Sequence, residues 1–125
     1  MTFRRLFLPL AVAIALPAIL SAAPAMDSNS HKGKILTDSQ GMSLYTFTKD
    51  KEARSACNGD CAVKWPPLAA KTGDKPEGSF GIIARDDGAL QWTYKGKPLY
   101  TWVKDTKSGD ITGDGVKGVW HLARP

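Results

Sequence analysis

The sequence predicts a small all-β single domain made of two pseudo-symmetric β-hairpin repeats of about 36 residues each. Three observations predict it. The heptad Leu44-Tyr45-Thr46-Phe47-Thr48-Lys49-Asp50 returns as Leu99-Tyr100-Thr101-Trp102-Val103-Lys104-Asp105. Leu90, Trp92 and Tyr94 alternate with Gln91, Thr93 and Lys95, the period of two that marks a half-buried strand. Each copy then runs through a loop containing Gly and Asp to a tryptophan, Trp65 in the first and Trp120 in the second. A copy this small cannot bury a self-sufficient core, so the two are expected to pack together.

Residues 1–25 read as a signal peptide. Arg4 and Arg5 supply the charged start, residues 6–20 are apolar apart from two prolines, and Ala23-Pro24-Ala25 places small residues at the cleavage positions. The apolar run is shorter than the roughly 20 residues that span a bilayer core. Cleavage after Ala25 puts no cysteine at the new terminus, so no lipid anchor is expected. Arg4-Arg5-Leu6-Phe7-Leu8 resembles the core of a twin-arginine signal, while the short charged region favours the general secretory route. Of 17 Lys and Arg, Arg4 and Arg5 fall in the leader, which leaves 15 against 12 Asp and Glu and a mature charge of +3. The lysines are scattered singly among acidic residues, which argues against a nucleic-acid partner or a polybasic membrane patch.

Residues 27–32 are polar, residues 26–32 read as a flexible N-terminal arm, and residues 33–125 as the β domain. At a constant offset of 55, residues 33–68 match 88–123 without a gap, with Gly33/Gly88, Gly41/Gly96, Tyr45/Tyr100, Asp50/Asp105 and Trp65/Trp120 among the identities. Repeat one, 33–68, is expected to open with a hairpin in which 35–37 and 44–48 flank the turn at Ser39-Gln40-Gly41. A linker, 69–79, contains Gly73, Pro76 and Gly78. Repeat two, with its preceding strand, covers 80–123: residues 80–85 form a strand, Asp87-Gly88 turns, and 90–94 and 99–103 flank Lys95-Gly96-Lys97. The polar segment before repeat one is a poor counterpart of strand 80–85, so the halves are expected to differ there. One short turn of helix fits around 57–64.

Tyr45-x-Phe47-x-x-Asp50 and Tyr100-x-Trp102-x-x-Asp105 resemble the duplicated Tyr-x-aromatic-x-x-Asp motif of a bacterial family of secreted repeats. The resemblance extends to Cys57-Asn58-Gly59-Asp60-Cys61-Ala62, to Trp65-Pro66-Pro67-Leu68, and to Gly113-Asp114-Gly115 through Trp120. Members of that family are often predicted lipoproteins and are described as having unknown function; this chain lacks the lipidated cysteine. The resemblance implies an exported repeat protein and no particular reaction.

Within the motif, Tyr45 and Phe47 are expected to fill the core, with Asp50 capping the loop that follows the strand, and Tyr100, Trp102 and Asp105 doing the same. Trp65 and Trp120 are expected core tryptophans. The competing possibility is a ligand groove of Tyr45, Tyr100, Trp102 and Trp92 anchored by Asp50 and Asp105. Cys57 and Cys61, in an exported chain, are most simply a disulfide that pins a local turn. Their three-residue gap is not that of a thioredoxin-like redox pair, and no second pair exists to complete a thiolate metal site. His31 and His121 are the histidines; with Met26 or Met42 they are weak candidates for copper ligands. Asp105, Asp110 and Asp114 lack the alternating spacing of an EF-hand. No nucleophile elbow, zinc-protease motif or phosphate-cradling loop is present, and adjacent Asp86 and Asp87 suit a turn better than an acid/base pair.

The expected function is therefore that of an exported, non-enzymatic cell-envelope protein, periplasmic or secreted, with a binding or structural role and no cofactor. Its partner would be an envelope protein or a small ligand. The alternative is a periplasmic redox or metal-handling accessory protein, suggested by Cys57 and Cys61, the two histidines and the aromatic density.

Overall fold

The computed structural model describes residues 23–125. The leader expected over 1–25 lies, but for its last three residues, outside the described residues. The chain runs through β1 (Met26–Ser30), β2 (Gly33–Thr37), β3 (Tyr45–Phe47), a short helix α1 (Asp60–Lys64), β4 (Phe80–Ala84), β5 (Leu90–Tyr94), β6 (Lys97–Pro98), a 3-10 turn (Val116–Gly118) and β7 (Trp120–Leu122). It is an all-β fold of small antiparallel sheets, as its strand pattern predicts, with one short helix.

Residues 26–32 are not a flexible arm. They form β1 and its turn, and β1 pairs along its whole length with β2, from Met26 opposite Thr37 to Ser30 opposite Gly33. The β4–β5 hairpin repeats this arrangement, from Phe80 opposite Tyr94 to Ala84 opposite Leu90. The two halves are therefore equally complete. Polarity hid β1 because its side chains are mostly exposed at a sheet edge, where an apolar alternation is not required.

The constant offset of 55 also fails in the first strand of each copy. Thr37 bridges to Ser43 across five intervening residues, whereas Thr93 pairs with Pro98 across four. The hairpin of copy one has one residue more, so Leu36 corresponds to Trp92, and Gly33 and Gly88 are not equivalent. Leu44 N–H donates to the Leu36 carbonyl and Leu99 N–H to that of Trp92, each at 3.0 Å, which fixes the correspondence.

Beyond Leu44 and Leu99 the chain does not return along its own hairpin as expected. It leaves and crosses to the other copy. Tyr45 N–H donates to the Tyr100 carbonyl at 2.8 Å and Tyr100 N–H to that of Tyr45 at 3.0 Å, a reciprocal pair on a pseudo-two-fold axis. β3 continues from there along β7, with Tyr45 opposite Leu122 and Phe47 opposite Trp120. The equivalent contact in the other direction is Thr101 N–H to the Pro66 carbonyl at 2.8 Å and Val103 N–H to Lys64 at 3.1 Å. It is no regular ladder, because Pro66 stands where copy two has His121, opposite Thr46, and has no N–H to donate. The Leu122 N–H is taken by Asp114 Oδ1 at 3.0 Å. Pro67, in the place of Leu122, needs no such acceptor, and Gly59 occupies the place of Asp114 in copy one.

The end of each copy also completes the first hairpin of the other. Leu36 N–H donates to the Ala123 carbonyl and Ala123 N–H to that of Leu44, both at 2.8 Å. Trp92 N–H donates to the Leu68 carbonyl and Leu68 N–H to that of Leu99, both at 2.9 Å. The start of the expected linker is thereby part of the sheet, since Ala70 N–H reaches the Leu90 carbonyl.

This exchange divides the interior into two clusters. Ile35, Tyr45, Cys57, Trp65, Tyr100, Trp102, Trp120 and Leu122 form one; Ala25, Leu36, Leu44, Trp92, Leu99 and Ala123 form the other. Leu44 and Tyr45 are adjacent yet both fully buried, because successive side chains point to opposite faces and each face meets a different cluster.

Candidate functional site

The motif residues meet at the pseudo-two-fold axis. Tyr45 donates its hydroxyl to Asp105 Oδ2 at 2.6 Å, and Tyr100 donates to Asp50 Oδ2 at 2.6 Å. Each tyrosine thus serves the carboxylate of the other copy. The second carboxylate oxygens hold their own loops: Asp50 Oδ1 accepts the Ala56 N–H at 2.7 Å, and Asp105 Oδ1 accepts the Thr112 N–H at 2.9 Å and its hydroxyl at 2.6 Å. Gly113 N–H donates to the Tyr45 hydroxyl at 3.1 Å, and Ser55 Oγ lies 2.7 Å from that of Tyr100. Burial, then hydrogen bonding to a carboxylate, push both tyrosine hydroxyls well above their ordinary pKa. Burial raises the Asp50 carboxyl, against the opposing effects of the Ala56 N–H, the Tyr100 hydroxyl and the Arg85 charge.

Between the tyrosines runs a stack of four rings. Phe47 lies on Trp120 at 4.2 Å, Trp120 on Trp65 at 3.8 Å, and Trp65 on Trp102 at 3.9 Å, with interplanar angles of 8°, 4° and 25°. The pseudo-two-fold exchanges Phe47 with Trp102 and Trp65 with Trp120, so the stack maps onto itself reversed. Tyr45 meets Trp65 edge-on at 5.4 Å, and Tyr100 meets Trp120 edge-on at 5.1 Å. No groove of Tyr45, Tyr100, Trp102 and Trp92 exists here: both tyrosines have no exposed surface, and Trp92 belongs to the other cluster.

A second polar network is specific to copy one's loop, and no sequence motif marks it. Arg85, 6% exposed, donates through Nη1 to Ser55 Oγ at 3.0 Å and Gln91 Oε1 at 2.7 Å, and through Nη2 to the Cys57 carbonyl. Gln91 Nε2 in turn donates to the Leu99 carbonyl at 2.8 Å. Copy one holds Ile35 where copy two holds Gln91. An arginine at the end of Phe80-Gly81-Ile82-Ile83-Ala84 looks like a strand terminator in sequence; nothing local shows that it turns inward. Cys57 and Cys61 are joined in a disulfide with Cα atoms 5.2 Å apart, and α1 starts inside its loop. Asp87 Oδ1 accepts the Ala89 N–H, and Asp86 Oδ2 the Asn58 amide, so the pair diverges.

His31 and His121 are exposed and border different clefts. Among the described residues no group of three His, Cys, Asp or Glu is placed to hold a metal ion. Asp110 receives the N–H groups of Thr106 and Lys107, and Asp114 receives Leu122 N–H and the Lys32 ammonium at 3.0 Å.

The larger cleft, about 770 Å³, lies between β3–β7 and the tip of the β5–β6 hairpin. Lys51, Lys95, Lys97, Arg124 and His121 line it, with Phe47, Tyr94 and Leu122 as apolar wall. Its carboxylates are Glu52 and Asp50, and the second is engaged by Tyr100 and Ala56. Lys95 and Gly96 both take positive φ, 48° and 80°. Two successive left-handed residues are the type I′ turn, in which Asn is the favoured first residue and a lysine is strained by about 1 kcal/mol. The turn is tied down by Ala53 N–H to the Gly96 carbonyl at 2.8 Å. Arg124 is fixed by Nη1 to the carbonyls of Lys32 at 2.7 Å and Lys34 at 3.1 Å.

Among the described residues no helix is long and apolar enough to cross a membrane. Neither a curated protein nor a solved structure matches the chain. A family model described as a secreted repeat of unknown function matches twice, over residues 28–69 and 81–124. Those two segments are the interlocked halves of the fold, and the chain belongs to this family of secreted repeats.

Proposed function

We propose that this exported protein is a non-enzymatic binding module of the cell envelope, in the periplasm or outside it, and that the cleft beside β7 takes a small anionic ligand. The observation that carries the reading is that Lys51, Lys95, Lys97 and His121 line one concave surface with an aromatic wall, beside Arg124, whose guanidinium is held by the Lys32 and Lys34 carbonyls. Concave sites of this size with a few converging polar groups are the usual form of small-ligand sites, and an excess of one sign of charge in a cleft concentrates the opposite sign. Lys95 adds weight, because a strained backbone kept at a cleft mouth is a feature of functional positions. The motif carboxylates support binding over catalysis: Asp50 and Asp105 are held by tyrosine and loop donors.

Titration with inorganic phosphate and with citrate, followed residue by residue by NMR, tests the proposal. The expected shifts fall on 94–97, Lys51, His121 and Arg124, weaken with salt, and vanish in Lys95→Glu/Lys97→Glu while the melting temperature holds. Shifts that scatter over the surface, or that survive the double substitution, would sink it.

A further inference from the structure

We infer that the aromatic stack and its two tyrosine–aspartate pairs form a one-electron relay, which accepts an oxidising equivalent at Trp102 and brings it to rest on Tyr45 or Tyr100. The relay does not rest on ligand binding in the anion cleft, although Phe47 and Asp50 belong to both. Trp102 is the indole at one end of the stack and is 8% exposed, whereas Trp65 and Trp120 inside it are 3% exposed. The two indole-to-indole steps, 3.9 and 3.8 Å, leave no gap for an electron to cross. Phe47, at the other end, is too hard to oxidise to serve as a stop, so the indoles carry the charge. The Lys104 ammonium lies 5.8 Å over the Trp102 ring and disfavours a positive charge there relative to the inner indoles.

From Trp65 and Trp120 the next oxidisable rings are Tyr45 and Tyr100, edge-on at 5.4 and 5.1 Å. A phenol gives up an electron readily only if its proton has somewhere to go. Here it has: each hydroxyl is already bonded at 2.6 Å to a carboxylate. The step balances as an exchange. The tyrosine loses one electron to the indole radical cation and its proton to Asp105 or Asp50; the indole returns to neutral, leaving a neutral tyrosyl radical and a carboxylic acid. The equivalent originates with a one-electron oxidant outside the protein. The chain's two cysteines form the disulfide, so no thiol competes as a sink. Burial of both hydroxyls keeps the resulting radical away from solvent.

The test uses photogenerated tris(bipyridine)ruthenium(III) as oxidant, with transient absorption and EPR as readouts. A Trp92→Phe/Tyr94→Phe protein serves as reference, because Trp92, as exposed as Trp102, is the one indole outside the stack and Tyr94 is the one other tyrosine. The reference is expected to show an indole radical that decays into a tyrosyl radical, more slowly in deuterium oxide. Tyr45→Phe/Tyr100→Phe on that background should abolish the tyrosyl signal and lengthen the indole radical's life. Asp50→Asn/Asp105→Asn should slow tyrosyl formation at least tenfold with the stack's near-ultraviolet circular dichroism retained. An indole radical that never passes to tyrosine in the reference, or a tyrosyl radical formed at the same rate in deuterium oxide, would overturn the relay. The deuterium measurement decides even if the aspartate variants do not fold.

Discussion

Tyr45 and Tyr100 have no exposed surface, so each hydroxyl must find its partner inside the protein, and each finds the aspartate of the other repeat. The carboxylates pull the acid response of the fold in two directions. The Asp50 carboxyl is raised above 3.8, chiefly by burial, so the native state holds that proton more tightly than the unfolded chain. Its contribution is present at acid pH and is lost as pH rises through the raised value. For Asp114, burial alone would raise the carboxyl, but the Leu122 N–H, the Lys32 ammonium and the His121 charge together hold it below 3.8. Its contribution is present above 3.8 and is lost as pH falls through the lowered value. Melting curves between about pH 2.5 and 7 should therefore show wild type losing stability relative to Asp50→Asn, and gaining relative to Asp114→Asn, as pH rises. The same sign for both variants would contradict these assignments. Gly113 makes a steric case. A Cβ there would lie 2.8 Å from Trp65 and 2.9 Å from Tyr45, both held by the ring stack. Gly113→Ala is expected to cost about 2 kcal/mol by denaturant titration, as overpacked cores do.

At the scale of the element, the two copies diverge where the chain has to cross between them. Pro66 ends the ladder that His121 continues, and Asp114 with Gly59 follows from Pro67 standing in the place of Leu122. The loop of copy one is tied by the disulfide and by Arg85, that of copy two by Asp105 with Thr112. A disulfide closing so few residues is worth about 2 kcal/mol by loop entropy. Cys57→Ser/Cys61→Ser should lose about that much in urea while keeping the near-ultraviolet signature of the indole stack. Loss of that signature would mean the disulfide holds more than its loop. The period of two in Leu90, Trp92 and Tyr94 made β5 legible as a strand, but not as a half-buried one: Gln91 and Thr93 are less exposed than Trp92, so both faces are covered at its centre. β1 was not legible, since Met26-Asp27-Ser28-Asn29-Ser30 has no such pattern and owes its place to pairing with Gly33–Thr37. The aromatic and acidic motif residues stood out by repetition alone. Arg85, Gln91 and Lys95 did not, because each acts in one copy only and depends on neighbours distant in sequence.

Across the whole molecule, the hairpin of each repeat is finished by the tail of the other, and the stack and both tyrosine–aspartate pairs cross the same axis. Neither half has a core of its own. Fragments 23–78 and 79–125 should each be unfolded alone by circular dichroism and regain the indole signature when mixed; a folded single fragment would show that the exchange is dispensable. Repetition in sequence read correctly as two copies in one domain, yet it suggested two self-paired hairpins side by side, because sequence spacing cannot tell a strand that returns from one that crosses. The most direct test is a pair of double-mutant cycles in denaturant. Tyr45→Phe with Asp105→Asn, in opposite repeats, should show a coupling of about 1.5 kcal/mol, the scale of a hydrogen bond to a charged group. Tyr45→Phe with Asp50→Asn, in the same repeat, should be additive. Coupling within the repeat and additivity across it would contradict the interlocked fold.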